Sequence, residues 1–112
     1  MNSKAKGKRG ELELSRILRG YGFSARRGVQ YKGTEDSPDV VGLEGIYIEV
    51  KRVESLNIDK AIDQSIENSG KNMPSVFHRK NGRPWLVTMK LDDWMELYMA
   101  WRKWEGVKDI LP

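Results

Sequence analysis

Apolar positions along this chain change spacing several times, and each change marks an element. From Glu11 to Arg19, Leu12, Leu14, Ile17 and Leu18 fit an amphipathic helix that Gly20 and Gly22 end. A short strand is expected around Phe23–Arg27. Gly28 to Pro38 reads as a loop, with Gly33, Asp36, Ser37 and Pro38 as breakers. Asp39–Val41 and Ile46–Val53 then form a β-hairpin turning through Gly42–Gly45. Asn57 or Asp59 caps a helix running to about Asn68, with Ile58, Ile62 and Ile66 four apart on one face, and Gly70 stops it. Ser75–His78 and Trp85–Met89 pair across Asn81-Gly82, a dipeptide whose residues both accept positive φ. Leu91–Trp104 is the last helix, with Asp92 or Asp93 near its start and a stripe of Trp94, Leu97, Tyr98, Trp101 and Trp104. The order helix, three strands, helix, two strands, helix describes an α/β sandwich in which helices flank a mixed sheet.

With 112 residues and 38% hydrophobic content, the chain is expected to form one domain over residues 1–112, with a basic, mobile arm over residues 1–9. There is no apolar run of membrane-spanning length and no signal-peptide pattern, so no membrane partner is expected. The absence of cysteine excludes disulfides and thiolate metal sites. A cytoplasmic location follows, in a bacterial or phage-infected cell. The net charge of +4 is unevenly spread. Residues 1–32 hold nine Lys or Arg against Glu11 and Glu13, and the remainder holds eleven against fourteen acids. A basic first third on a near-neutral body suits a polyanion, nucleic acid first. Lys4, Lys6, Lys8 and Arg9 would serve equally as a solubilising tail; Arg26, Arg27 and Lys32, in a later segment, favour DNA.

Glu49 and Lys51 stand two apart in an apolar strand, so both leave the same face while Ile48 and Val50 point into the core. Asp39 opens the partner strand after Pro38, where a missing backbone donor is tolerated. A short hairpin thus brings two carboxylates and an ammonium together. Phosphodiester hydrolysis needs such a set: a water must lose a proton at neutral pH, and charge developing on the phosphate must be offset. Mg²⁺ does both, with Mn²⁺ as a possible substitute, and it prefers one or two carboxylates plus waters. A lysine can orient the water or balance phosphate charge. Glu-x-Lys by itself is common on solvated edge strands; the proline-aspartate and tight turn before it make the combination more specific.

Ser37-Pro38-Asp39 with Ile48-Glu49-Val50-Lys51 resembles the signature of the PD-(D/E)xK nuclease superfamily. The details are most similar to archaeal-type Holliday junction resolvases and their phage or prophage relatives. Gly7 and Glu11 match the glycine and first-helix glutamate of those proteins, Gly22-Phe23 and Arg27 a later Gly-Phe pair and arginine, and Gln64 a helical glutamine after the lysine strand. Val76-Phe77-His78-Arg79, Trp85-Leu86-Val87-Thr88 and Asp92-Asp93-Trp94 resemble the phage-borne branch. Tyr31-Lys32-Gly33 departs from the archaeal enzymes, which carry a serine in that loop. The resemblance implies a restriction-endonuclease-like core, with Glu11, Asp39 and Glu49 as metal ligands and Lys51 assisting the nucleophilic water. Glu13 competes with Glu11 but lies on a different helix face.

His78, the single histidine, excludes a histidine zinc cluster and is weighed as structural or surface rather than catalytic. Trp94, Trp101 and Trp104 could stack on bases, although helical spacing favours packing on the sheet or on a second subunit. Gly7, Gly10, Gly20 and Gly22 form no phosphate loop, because no strand precedes them. These readings converge on a homodimeric Mg²⁺-dependent endodeoxyribonuclease that resolves four-way DNA junctions by two symmetric cuts. The alternatives are a relative acting on nicked, damaged or duplex DNA, and a non-catalytic DNA-binding or phage structural protein of the same fold.

Overall fold

A computed structural model of the chain describes residues 3–28 and 38–106; Lys32 and the rest of residues 29–37 lie outside the described residues. The first helix, α1, spans Ser3–Gly20 and begins eight residues earlier than the apolar spacing indicated. Its backbone therefore takes in most of the segment expected as an arm. Ala, Lys and Arg there are good helix formers, and a stretch whose only apolar residue before Glu11 is Ala5 offers no apolar periodicity to detect. Further along, Leu14, Ser15 and Leu18 are buried, while Leu12 and Ile17 are exposed. Gly10 completes the inward face. A Cβ there would fall 2.7 Å from the Cβ of Arg52, so the missing side chain lets the helix lie directly on the sheet.

The strands are β1 (Arg26–Arg27), β2 (Val40–Val41), β3 (Ile46–Arg52), β4 (Met73–Arg79) and β5 (Leu86–Met89), hydrogen-bonded in the order β1-β2-β3-β4-β5. Their pairings are antiparallel except β3 with β4, which run parallel with Glu49 opposite Val76 and Lys51 opposite His78. The chain makes that parallel return through helix α2 (Ile58–Asn68). This is the expected mixed sheet flanked by helices. Leu14, Leu18, Ala25, Val40, Ile48 and Val50 form the core under α1, with Leu43, Ile46, Phe77 and Trp85 packed against it.

Helix α2 is capped by Asn57, whose side chain accepts the Lys60 N–H at 3.0 Å. Its buried face is Ala61 and Ser65; the expected stripe of Ile58, Ile62 and Ile66 is only partly covered. Small residues set the helix close enough for side-chain hydroxyls to reach the strands. Ser65 Oγ donates to the Ser75 carbonyl at 2.9 Å, and Ser75 Oγ donates to the Tyr47 carbonyl at 2.7 Å. The β4–β5 connection also differs from expectation. It runs over residues 80–85, and only Gly82 takes positive φ (70°). Asn81 is held otherwise, accepting from Arg52 Nη1 at 2.7 Å and donating its N–H to Glu54 at 2.8 Å.

The last helix, α3, covers Leu91–Glu105 and buries no residue. The possibility that its aromatic stripe closes the core is therefore ruled out within the protomer. Among the described residues, no helix is long and apolar enough to cross a membrane.

Candidate active site

Asp39 sits just ahead of β2. Its N–H donates to the Ile48 carbonyl at 2.9 Å, and its own carbonyl accepts the Gly28 N–H at 2.9 Å. Any side chain at Gly28 would collide with the Pro38 carbonyl, so this glycine allows the chain leaving β1 to lie against the Pro-Asp pair. The Asp39 carboxylate then turns onto β3, where Oδ2 accepts the Val50 N–H at 2.8 Å. That amide lies between Glu49 and Lys51 in the chain. A backbone donor on the central strand thus fixes the aspartate relative to both of its candidate partners.

Glu49 is 5% exposed, so β3 is covered on both faces at this point and the solvated-edge reading does not apply. Its carboxyl shares a hydrogen bond with Asp39. Burial first, then that bond and the charges of Asp39 and Glu11, push its pKa up to about 8, against the pull of Lys51. Glu11 is also raised, by burial and then by the Asp39 charge. Arg27 opposes this through an Nε–Oε1 contact of 3.1 Å. Three carboxylates act on one another, Glu11 from α1, Asp39 from just ahead of β2 and Glu49 from β3.

Glu13 belongs elsewhere. It accepts from Arg79 Nη1 and from Trp85 Nε1 (2.9 Å), and it lies 3.5 Å from Arg52 Nε. Trp85 and the arginines hold its carboxylate below the ordinary range despite partial burial. Two residues' separation around α1 divides the two glutamates between a cluster of acids and a cluster of cations. The family resemblance favoured Glu11 from glycine spacing, and Glu11 is the glutamate of α1 whose charge acts on Asp39 and Glu49.

Lys51 lines a cleft of ≈ 240 Å³ with Asn57, Lys60 and Gln64, which brings the expected supporting glutamine to the lysine's side. His78 lines a second cleft, with Lys80 and Arg83, and its Nε2 lies 2.9 Å from Thr88 Oγ1. Burial lowers its pKa. Lys8 and Arg9 on α1 and Arg26 on β1 are exposed, and Arg27 is engaged with Glu11. Lys4 and Lys6 lie on α1 by backbone; Lys32 falls outside the described residues. The roles of Gly10, Gly28 and the Val50 N–H were not read from sequence. Only Gly10 carried a signal there, standing four residues before Leu14 and eight before Leu18.

Among the described residues, no group of three or more acids or histidines is drawn together as a ready-made metal cage. The close unit is the Asp39–Glu49 pair. The buried Glu49 carboxyl, with its strongly raised pKa, and the half-buried Asp39 carboxylate beside it form a hard-oxygen donor set that suits Mg²⁺, which needs only one or two such ligands.

A family model describing archaeal Holliday junction resolvases (Hjc) matches residues 2–94. This chain belongs to that family. Among solved structures it is similar to Hjc of Archaeoglobus fulgidus, a Holliday junction resolvase from an archaeal hyperthermophile. The TM-score is 0.56, with 23% identity over 73% of this chain and 75% of that one. At that identity the likeness is one of fold, and it agrees with the mixed sheet and helix order of the resolvase family. A comparison with curated proteins finds no match.

Proposed function

We propose that this chain resolves four-way DNA junctions by metal-dependent phosphodiester hydrolysis. Asp39 and Glu49, with Glu11 as the third carboxylate, would hold Mg²⁺ or Mn²⁺, and Lys51 would stand beside the attacked phosphate. The buried Glu49 carboxyl on β3, paired with half-buried Asp39 just ahead of β2, is the observation that carries this reading. These carboxylates would hold the cation, whose chemistry there would be to lower the pKa of a water and offset charge on the scissile phosphate. The Val50 N–H keeps Asp39 aimed, and Glu49 would release its proton to solvent if a cation bound. Lys51, half-buried beside the cleft, offsets charge on a phosphate oxygen and orients the incoming water. Arg27 restrains Glu11 and lies in reach of an adjoining phosphate; Lys8, Arg9 and Arg26 extend the positive surface. Symmetric incision requires two such sites, which a two-fold homodimer provides. DNA as substrate suits the cytoplasm.

The test compares a four-way junction with a linear duplex of the same arm sequences, each with and without Mg²⁺. Paired cuts in the junction, dependent on Mg²⁺ and absent from the duplex, are expected. Equal cutting of both substrates would replace junction resolution with general nuclease activity. Binding without any cutting would leave a non-catalytic DNA-binding protein.

A further inference from the structure

Helix α3 combines two features that do not normally coexist in a free protomer. It buries none of its residues, yet Trp94, Leu97, Tyr98, Trp101 and Trp104 line one side of it, with Trp104 85% exposed. Trp94 stacks on Tyr98 (centroids 5.3 Å apart, planes at 5°), and Tyr98 on Trp101 (5.9 Å, 26°). The rings already form an ordered ladder. An isolated helix of this length is marginal in water, and helices gain most of their stability by covering an apolar face. A contiguous aromatic surface of this kind marks an interaction site.

Its charges indicate the occupant. The helix carries Asp92, Asp93, Glu96 and Glu105 against Arg102 and Lys103, so it is net negative on a chain whose net charge is +4. A polyanion such as DNA is disfavoured on this element, although the rings could stack on bases. The signs are also unevenly distributed: Asp92, Asp93 and Glu96 lie in the first half, with Lys90 at the cap 3.9 Å from Asp93, and Arg102 and Lys103 lie near the end beside the single acid Glu105. A second α3 running antiparallel would set each acidic half beside a basic end, and would also oppose the two helix dipoles. A parallel mate would set like charges together. Tyr98 is the midpoint of Leu91–Glu105, so the aromatic ladder is nearly symmetric about it.

We propose that α3 is the surface on which a second copy of this chain docks, the two helices packing antiparallel across a two-fold axis beside Tyr98. Most of α3 lies beyond the residues 2–94 matched by the family model, so the surface is read from this chain's own residues. The inference deepens the proposed junction resolution and draws its purpose from that reading, because the pairing supplies the two sites that paired incision needs.

The chain has no cysteine, so single cysteines report the geometry directly. At 1.5 Å rise per residue, antiparallel pairing about Tyr98 separates the two Leu97 positions by about 3 Å along the axis and the two Leu91 positions by about 21 Å. A disulfide needs Cα atoms within about 7 Å. Under mild oxidation, Leu97→Cys should form covalent dimers roughly tenfold or more faster than Leu91→Cys. A mixture of Leu91→Cys and Trp104→Cys chains should cross-link to each other. Without oxidant, the wild type should sediment as a dimer, and Trp101→Glu as a folded monomer. Self-linking of Leu91→Cys at the rate of Leu97→Cys would overturn the antiparallel arrangement. A monomeric wild type, or a dimer untouched by Trp101→Glu and not cross-linked through Leu97→Cys, would overturn the surface itself. None of these measurements uses DNA or metal, so their failure leaves the cleavage reading standing. Conversely, loss of cleavage in an Asp39 variant that still dimerises reports on the site alone.

Discussion

At the β2–β3 site, a glutamate is buried to 5% exposure beside a second carboxyl group; on α3, three tryptophans stand in the open. The first region hides polar groups and the second displays apolar ones, each against the usual partition. Both arrangements are unfavourable for the protomer by itself, and each is relieved by something from outside. A cation would relieve the paired carboxyls, and a second chain would cover the aromatic ladder. The difference lies in how each is held. The Asp39 carboxylate accepts the Val50 N–H, and the Asp39 backbone donates to the Ile48 carbonyl and accepts from the Gly28 N–H, so this half of the site is preorganised within one chain. The α3 rings touch chiefly one another, so their final arrangement depends on what docks there.

The largest expected effect comes from breaking the site while leaving α3 alone. Asp39→Asn or Glu49→Gln should lower junction cleavage by a factor on the order of 10²–10³ or more, with junction binding retained or tightened. Gel-shift and cleavage assays on the same variants check both halves. Full cleavage in either variant, or in excess EDTA, would sink the carboxylate mechanism.

The buried carboxyl should also leave a signature in stability against pH. Glu49 titrates near the ordinary 4.5 in the unfolded chain and at about 8 in the fold. Between those values the unfolded chain releases the proton and the fold retains it. This group's contribution is therefore complete below about pH 4.5 and is lost as pH rises towards 8. In EDTA, the melting temperature should fall across that window. Glu49→Gln should flatten the fall, and so should Mg²⁺ on the wild type, because the cation favours the ionised pair. An EDTA melting curve with the same pH dependence in wild type and Glu49→Gln would show that the glutamate is not held as described.

A smaller effect sharpens the contrast from the packing side, because α1 has the close seat on the sheet that α3 lacks. Gly10→Ala places a methyl 2.7 Å from the Arg52 Cβ and should destabilise the protein by about 1–3 kcal/mol. Gly7→Ala meets nothing nearer than Glu11 Oε2 at 3.9 Å and should be neutral or stabilise by up to ~1 kcal/mol through helix propensity. Denaturant melts of the two variants decide it; equal destabilisation would mean that α1 does not rest on Gly10.

Element order, the mixed sheet and the approach of Asp39 to the Glu49–Lys51 strand were legible in the sequence, because strand alternation and turn residues act over a few neighbours and place side chains by local geometry. Asn57 as a cap and Gly82 as the turn residue are local in the same sense. Only the tertiary structure decided which glutamate of α1 meets the acids, since that depends on how far the helix is rotated, and Arg52, Arg79 and Trp85 fix the rotation through Glu13. The burial of Glu49 was likewise hidden, because the face opposite α1 is covered by an element that arrives later in the chain. The aromatic stripe of α3 shows the limit most clearly. Its spacing is the same whether it faces a core or a partner, and only its position beyond the sheet, with no residue buried, separates the two.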